Sequence, residues 1–519
     1  MSGLSPCSGP SSTSGAVTDA LATVGRRSAQ GLVGAAVSGV CTIATLVIAS
    51  RSLGTRGAGY FFVAISLFAI VQGVASFGVD TGLQYWMPAA DATSRRRLIR
   101  ISLIVVAGGG LIAAVILALN SASVSELLGN NHRSDRGSQV IKAVAWLVAI
   151  GPLGEAVLGA LRGANRVVTA LILDRFLRPV LQVSMMIVAS VTHRGPVGMT
   201  VAWAAPFVVV TLLGLISVIR LPRHQDGEPV TTAQFVAYTW PRAIARGAQA
   251  LVQRLDVLLL AGAVGLEESG IYGTASRCMI AGVFVATAVQ QMVQPQLRRA
   301  VIGGDPAEVR SLYAASTTWV VLVTWPVYLA MAVFSPVIMR AFGTGFERGS
   351  IALTILSLTM LVASACGLVD VVLLMLGRSW LSTIDTLAAL GVNIVLNLAL
   401  DARFGMKGAA IAWAAAILTT NLVPLIQVAR HGIHPWGRPL RSAVLSAVIA
   451  VAIPLTLVRA VSGTQTLAVV VAMVIAVALY AAAVARHRHV LMLDRLTSGF
   501  RRRGTRPTVV PLPIQVGTE

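Results

Sequence analysis

Six polar residues, Tyr238, Arg242, Arg246, Gln249, Gln253 and Asp256, follow one another at intervals of 4, 4, 3, 4 and 3 in an otherwise apolar stretch. At 100° per residue, Arg242 to Asp256 fall within about 40° of a single line along a helix. The stripe runs about 21 Å at 1.5 Å per residue. It is cationic at one end and neutral to acidic at the other, and Ile244, Leu251, Val257 and Leu258 take other faces. Arg242 and Arg246, one turn apart, suit a doubly charged phosphate group, which they would grip through forked, charge-assisted hydrogen bonds. Gln249, Gln253 and Asp256 suit hydroxyl groups. Two readings stay open: one wall of a water-filled central cavity, or a helix–helix seam whose arginines pair with Asp174, Asp370 or Asp385. Arg254 points some 120° away and reads as a separate ion pair or an interfacial side chain.

Other polar residues are embedded in the same way. Arg277 lies in the next apolar run, with Gln291 on its side, and Gln72, Ser76 and Asp80 are spaced by four. Each set would line the same cavity or form a polar seam. Asp174 and Arg178 are one turn apart just before Pro179, and Asp385 follows Asp174 by 211 residues. These read as a structural ion-pair site rather than a gate. Glu155 is a candidate proton carrier or a satisfied buried acid. Gly108–Gly110 follows no strand, so it reads as close helix packing rather than a nucleotide loop. Cys7, Cys41, Cys278 and Cys366 form no CxxC pair; neither a disulfide framework nor a metal site follows, and no cofactor is implied.

The elements that must position these residues follow from composition. Of 519 residues, 56% are hydrophobic and 12% charged, with a mean hydropathy of +0.79. A soluble domain carries about 25% charged residues, so most of this chain faces lipid or other helices. An arginine near a bilayer centre costs about 2.5–3.5 kcal/mol, which is why the embedded ones demand a cavity or a partner. The net charge of +21 comes from 41 basic and 20 acidic residues. The basic residues sit mostly in short loops, where they set topology, so nucleic acid is excluded as a partner.

The fold class expected is an all-α polytopic membrane protein. Fourteen apolar runs reach spanning length, near 29–50, 59–79, 99–119, 139–161, 168–192, 198–219, 236–263, 269–292, 313–339, 350–375, 381–400, 408–428, 441–461 and 466–486. Residues 1–28 read as a disordered cytoplasmic tail and 487–519 as a basic, Pro-rich one. With the N-terminus inside, cytoplasmic segments hold 24 basic residues and outer loops 11. The positive-inside rule thus places both termini in the cytoplasm, with 220–235 as a cytoplasmic linker.

Two stretches recur. Leu53-Gly54-x4-Gly59-Tyr60 is echoed 211 residues later by Val264-Gly265-x4-Gly270-Ile271-Tyr272. Gly195-x2-Gly198-x3-Ala202-Trp203-Ala204-Ala205 recurs 210 residues later as Gly405-x2-Gly408-x3-Ala412-Trp413-Ala414-Ala415. The expectation is two six-helix lobes, 29–219 and 236–428, related by a parallel repeat about an axis along the membrane normal. Residues 429–486 add two helices without counterpart.

The opening Ser50-Arg51-Ser52-Leu53-Gly54-x4-Gly59-Tyr60-Phe61, with a following helix that ends Gly78-Val79-Asp80, resembles the polysaccharide-transporter (oligosaccharide flippase) family. Val392-Asn393-x3-Asn397-x7-Gly405-x2-Gly408-Ala409-Ala410-Ile411-Ala412 resembles that family's later signature. The family belongs to the multidrug/oligosaccharidyl-lipid/polysaccharide exporter superfamily. The resemblance, over roughly residues 25–485, implies alternating access and outward flipping of a polyprenyl-pyrophosphate-linked oligosaccharide in a bacterial plasma membrane. It also implies partners: membrane lipids, and a polysaccharide polymerase or glycosyltransferases. No ionisable residue lies between Arg27 and Arg51, which sets the chain apart from the drug-extruding and lipid II branches. Competing readings are a drug exporter, disfavoured by the arginines, and a non-transporting scaffold for an export complex. An enzyme is disfavoured because no DxD motif and no large acidic outer loop is present.

Overall fold

The computed structural model describes residues 13–129, 135–221, 227–463 and 465–492. Among the described residues every regular element is a helix, apart from one isolated bridge between Ala90 and Glu228. Twelve helices among them are long and apolar enough to cross a membrane, against the fourteen spans read from the sequence. The difference has two local causes. The first two spans run on as one helical stretch, Thr13–Ala75, broken only at Gly54 (φ 65°, ψ −175°). The chain folds back there, since Thr45 and Leu46 before the glycine share a cavity wall with Phe61 and Ile65 after it. Only glycine takes such a backbone without strain. The fifth span is divided into Val167–Leu171, a π-helical turn Ile172–Leu177, and Arg178–Val191. Pro179 offers no N–H and its ring would collide with the carbonyl four residues back, so the preceding turn widens. The same device recurs at Val448–Ala452, ahead of Pro454.

Residues 13–28, expected within a disordered tail, are helical and continuous with the first span. Their alanines favour helix, and propagation from an existing helix avoids the cost of nucleation. Residues 1–12 of that tail, 222–226 of the linker and 493–519 of the C-terminal tail lie outside the described residues.

The linker is pinned to the loop ahead of the Ala92–Leu119 helix. Glu228 N donates to Ala89 O (2.9 Å), Asp91 N to Glu228 O (3.1 Å) and Val230 N to Ser94 Oγ (3.0 Å). Asp91 caps the Ala92–Leu119 helix, and hydrogen bonding from Ser94 holds its carboxyl below the usual carboxylate range. Thr231 and Gln234 form a capping box that starts the Thr232–Val264 helix.

The repeated glycines all have positive φ. Gly54 and Gly265 have φ of 65° and 112°, and Gly195 and Gly405 have 64° and 56°. Where Leu266–Cys278 crosses Thr13–Ala75, contact is backbone to backbone. A Cβ on Gly59 would lie 1.9 Å from Leu266 O, and one on Gly270 would lie 2.2 Å from Thr55 O. The contacts are crosswise in the repeat, since Gly59 meets the counterpart of Thr55, and Thr55 meets the counterpart of Gly59. Small residues at such crossings let helices approach closely where lipid offers no hydrophobic drive. Gly109 and Gly110 pack in the same manner against the Phe77 ring and the Ala149 backbone.

Phe61, Phe62, Tyr272, Tyr328 and Phe346 are buried in one cluster drawn from both halves. The two C-terminal helices pack on Pro306–Val333, where Leu440 and Ala443 meet Val321, and Tyr480 donates to Leu322 O (2.7 Å).

Candidate functional site: a cationic cavity between the two halves

The halves enclose a cavity of about 990 Å³ whose wall carries six arginines and four carboxyl groups. The π-turn and Pro179 shape one side. Loosening that turn presents Asp174, Arg175 and Arg178 together, and Asp174 holds Arg178 (2.8 Å), Arg162 (3.4 Å) and Arg175 (3.6 Å). The opposite side is the polar face of Thr232–Val264. Arg246 reaches across the halves to buried Asp80 (3.3 Å), whose second oxygen has no hydrogen-bond partner. Arg254 and Arg277 have no carboxylate within 4 Å among the described residues. Arg277 donates to Ser66 Oγ (3.2 Å) and lies over the Phe62 ring; Ser66 and Arg277 are themselves 211 positions apart. Both arginines also line an adjoining cavity of about 320 Å³, walled by Trp203, Phe207 and Phe284. With three guanidinium groups shared around Asp174 and two more unpaired, the cavity is an anion-attracting space.

Of the residues singled out in the sequence, Asp80, Arg246, Gln249, Gln253, Asp256 and Arg277 all line this cavity. Gln72 does not; it stands behind the wall and donates to Glu155 Oε1 (3.2 Å). Nor does Arg242. Its guanidinium lies over the Tyr238 ring at 3.6 Å and donates to Tyr238 O (3.1 Å), while Tyr238 stacks on Tyr85 at 4.2 Å. Gly78 packs closely on Thr239, Arg242 and Ala243, and Arg242 runs back along its own helix. The Arg242–Arg246 clasp is therefore not assembled. Arg254, read as pointing elsewhere, faces the cavity, because the smaller cavity opens on that flank of the helix.

A second polar cluster lies between the Thr232–Val264 and Ser379–Phe404 helices. Buried Asp256 accepts from Tyr272 Oη (2.6 Å) and Val257 N (2.9 Å). Asp401 is buried near enough to interact electrostatically with both Asp256 and Tyr272, and both its carboxylate oxygens lack a hydrogen-bond partner. Asn397 Nδ2 donates to Asn393 Oδ1 (3.2 Å), while Asn397 Oδ1 is also unpartnered. Two carboxylates and two amide oxygens suit a hard monovalent or divalent cation. The sequence carries this signal as Asn393-x3-Asn397-x3-Asp401, one face of one helix; the family motif includes only the two asparagines, and Asp401 is an addition from the structure.

Residues 48–348, more than half of the chain, match the family model for polysaccharide biosynthesis proteins. This chain belongs to that family. Over 170 residues it is 26% identical to a probable low-salt glycan biosynthesis flippase of Haloferax volcanii, covering 33% of this chain and 36% of that protein. The chain thus spans about a third of the length of the curated relative it matches. The fold is similar to that of the lipid II flippase MurJ in an inward closed conformation, with a TM-score of 0.69, 13% identity, and 88% and 99% of the two chains covered. An inward-facing multidrug transporter of the MATE family, within the MOP superfamily, gives a TM-score of 0.60 at 14% identity, covering 76% and 94%. The family member described here therefore has the fold of that exporter superfamily.

Proposed function

We propose that the chain is a secondary transporter that flips a polyprenyl-pyrophosphate-linked oligosaccharide from the inner to the outer leaflet for cell-surface glycan assembly. The carrying observation is the pair Arg254 and Arg277, unpaired by acid and facing one cavity walled by both halves. A pyrophosphate there would gain charge-assisted bonds that offset its desolvation. Gln249 and Gln253 stand on the same helix to meet sugar hydroxyls, and the lipid tail would remain in the bilayer. Residues 29–219 and 236–428 act as two lobes that rock in alternating access, with both termini cytoplasmic in a cell membrane, bacterial by the sequence reading. Asp256 and Asp401 hold the coupling cation. Polymerase or glycosyltransferase enzymes would be the neighbouring partners.

The test is lipid extraction from a strain lacking the gene, with mass spectrometry of polyprenyl-linked glycans. One complete repeat unit should accumulate, cleared by the wild-type gene and not by Arg254→Ala/Arg277→Ala. An unchanged lipid pool, with no redundant copy of the gene present, would move the assignment to a small-molecule exporter. A cavity rich in arginine already disfavours cationic drugs.

A further inference from the structure

A furrow of about 580 Å³ on the outside of the first half lies between the Ala92–Leu119 and Gly195–Ile219 helices. It is separate from the cavity described above. Arg95, Arg96 and Arg100 line one end, and no acidic residue is among its lining. Arg95 Nε donates to Met87 O (2.7 Å), which fixes its guanidinium at the mouth. Beyond the arginines the walls are Leu103, Ile104, Leu215 and Ile219. Ile104 is 60% exposed and Ile219 74% exposed, so the apolar part opens sideways into the bilayer. From Arg96 to Ile104 is about 12 Å along the helix, the path of an acyl chain descending from its headgroup.

A second observation concerns charge. The arginines occupy the first turns of a 28-residue helix that has no acidic residue in its first turn. Cations there add to the partial positive charge of the helix N-terminus. The positive-inside reading puts this end in the cytoplasmic leaflet, where anionic lipids concentrate.

We propose that this furrow is a binding site for an anionic phospholipid, its phosphate held by Arg95, Arg96 and Arg100 and one acyl chain laid against Leu103, Ile104, Leu215 and Ile219.

The experiment is native mass spectrometry of the full chain, titrated separately with phosphatidylglycerol and phosphatidylcholine. The wild type should bind phosphatidylglycerol at least tenfold more tightly. Arg96→Gln/Arg100→Gln should lose that preference. Ile219→Trp, which fills the furrow but leaves every arginine in place, should weaken phosphatidylglycerol binding about tenfold and decides alone should the double variant fail to fold. Arg97→Gln, off the furrow, should bind as the wild type does. Equal binding of both lipids, or full retention in Ile219→Trp, overturns the site and leaves the arginines as topology signals. Displacement of phosphatidylglycerol by equimolar polyprenyl phosphate would overturn the phospholipid assignment and make the furrow a port for prenyl-linked lipids.

Discussion

Arg246 and Arg254 stand on one helix two turns apart, yet only the first meets an acid, Asp80 at 3.3 Å. That difference decides which guanidinium is free for a bound anion. Similar reasoning singles out Asp401, a buried carboxylate with neither oxygen hydrogen-bonded, beside another buried carboxylate. An unpaired buried charge costs several kcal/mol, so a cation that bridges Asp401 and Asp256 should stabilise the fold. Adding sodium chloride at about a hundred times the dissociation constant is worth about 2.7 kcal/mol, and a thermal scan against choline chloride would show it. Asp401→Asn should abolish the sodium-specific shift. Equal shifts in both salts would reduce the effect to screening. Periodicity placed Arg246, Gln249, Gln253 and Asp256 on the correct face, because a helix fixes the angle between its own residues. It misplaced Arg242 and Arg254, since the angle does not say which neighbour occupies each flank. Gly78 against Arg242 and a second cavity beside Arg254 are tertiary facts.

Helices cross here through glycine, and the crossing near Gly59 and Gly270 bears directly on access to the cavity. The positive-inside reading expects this contact at the outer side, where Thr55 Oγ1 donates to Glu267 Oε1 (3.3 Å), itself paired with Arg348. Gly59→Ala should push the helices apart, because its Cβ would lie 1.9 Å from Leu266 O. The expected outcome is a loss of about 1–3 kcal/mol together with an outer side that opens more often. A single cysteine at buried Thr274, in a background without the native cysteines, should react several-fold faster with an impermeant maleimide when Gly59→Ala is present. An unchanged labelling rate would mean the crossing is not the seal. The glycines themselves were legible as a repeated motif, but their contact was not, since a repeat fixes correspondence and leaves the distance between its copies open. The twelve long apolar helices and the fourteen apolar runs differ for a related reason: the first two runs join into one helical stretch through Gly54, and the fifth is divided by the π-turn ahead of Pro179.

At the scale of the whole molecule, membrane residence and helical class were legible because composition is a bulk property. The positive φ shared by Gly54 and Gly265, and by Gly195 and Gly405, agrees with a duplicated unit. If the two units rock against one another, tying them together at the outer edge should stop transport. Thr55→Cys with Glu267→Cys, whose native side chains meet at 3.3 Å, should form a disulfide that reduces flipping at least tenfold, restored by reductant. Full transport by the oxidised protein would rule out rocking about this edge. The linker adds a mechanical consequence. Glu228 and Val230 are tied to Ala89, Asp91 and Ser94 immediately before the second half begins at Thr231. The two units are thus stapled along one rim, like a folder bound along one edge. If they rock as proposed, a swing of a few degrees about that binding would move the far edge most, so the widest aperture would form opposite the staple, where the proposed glycan would leave.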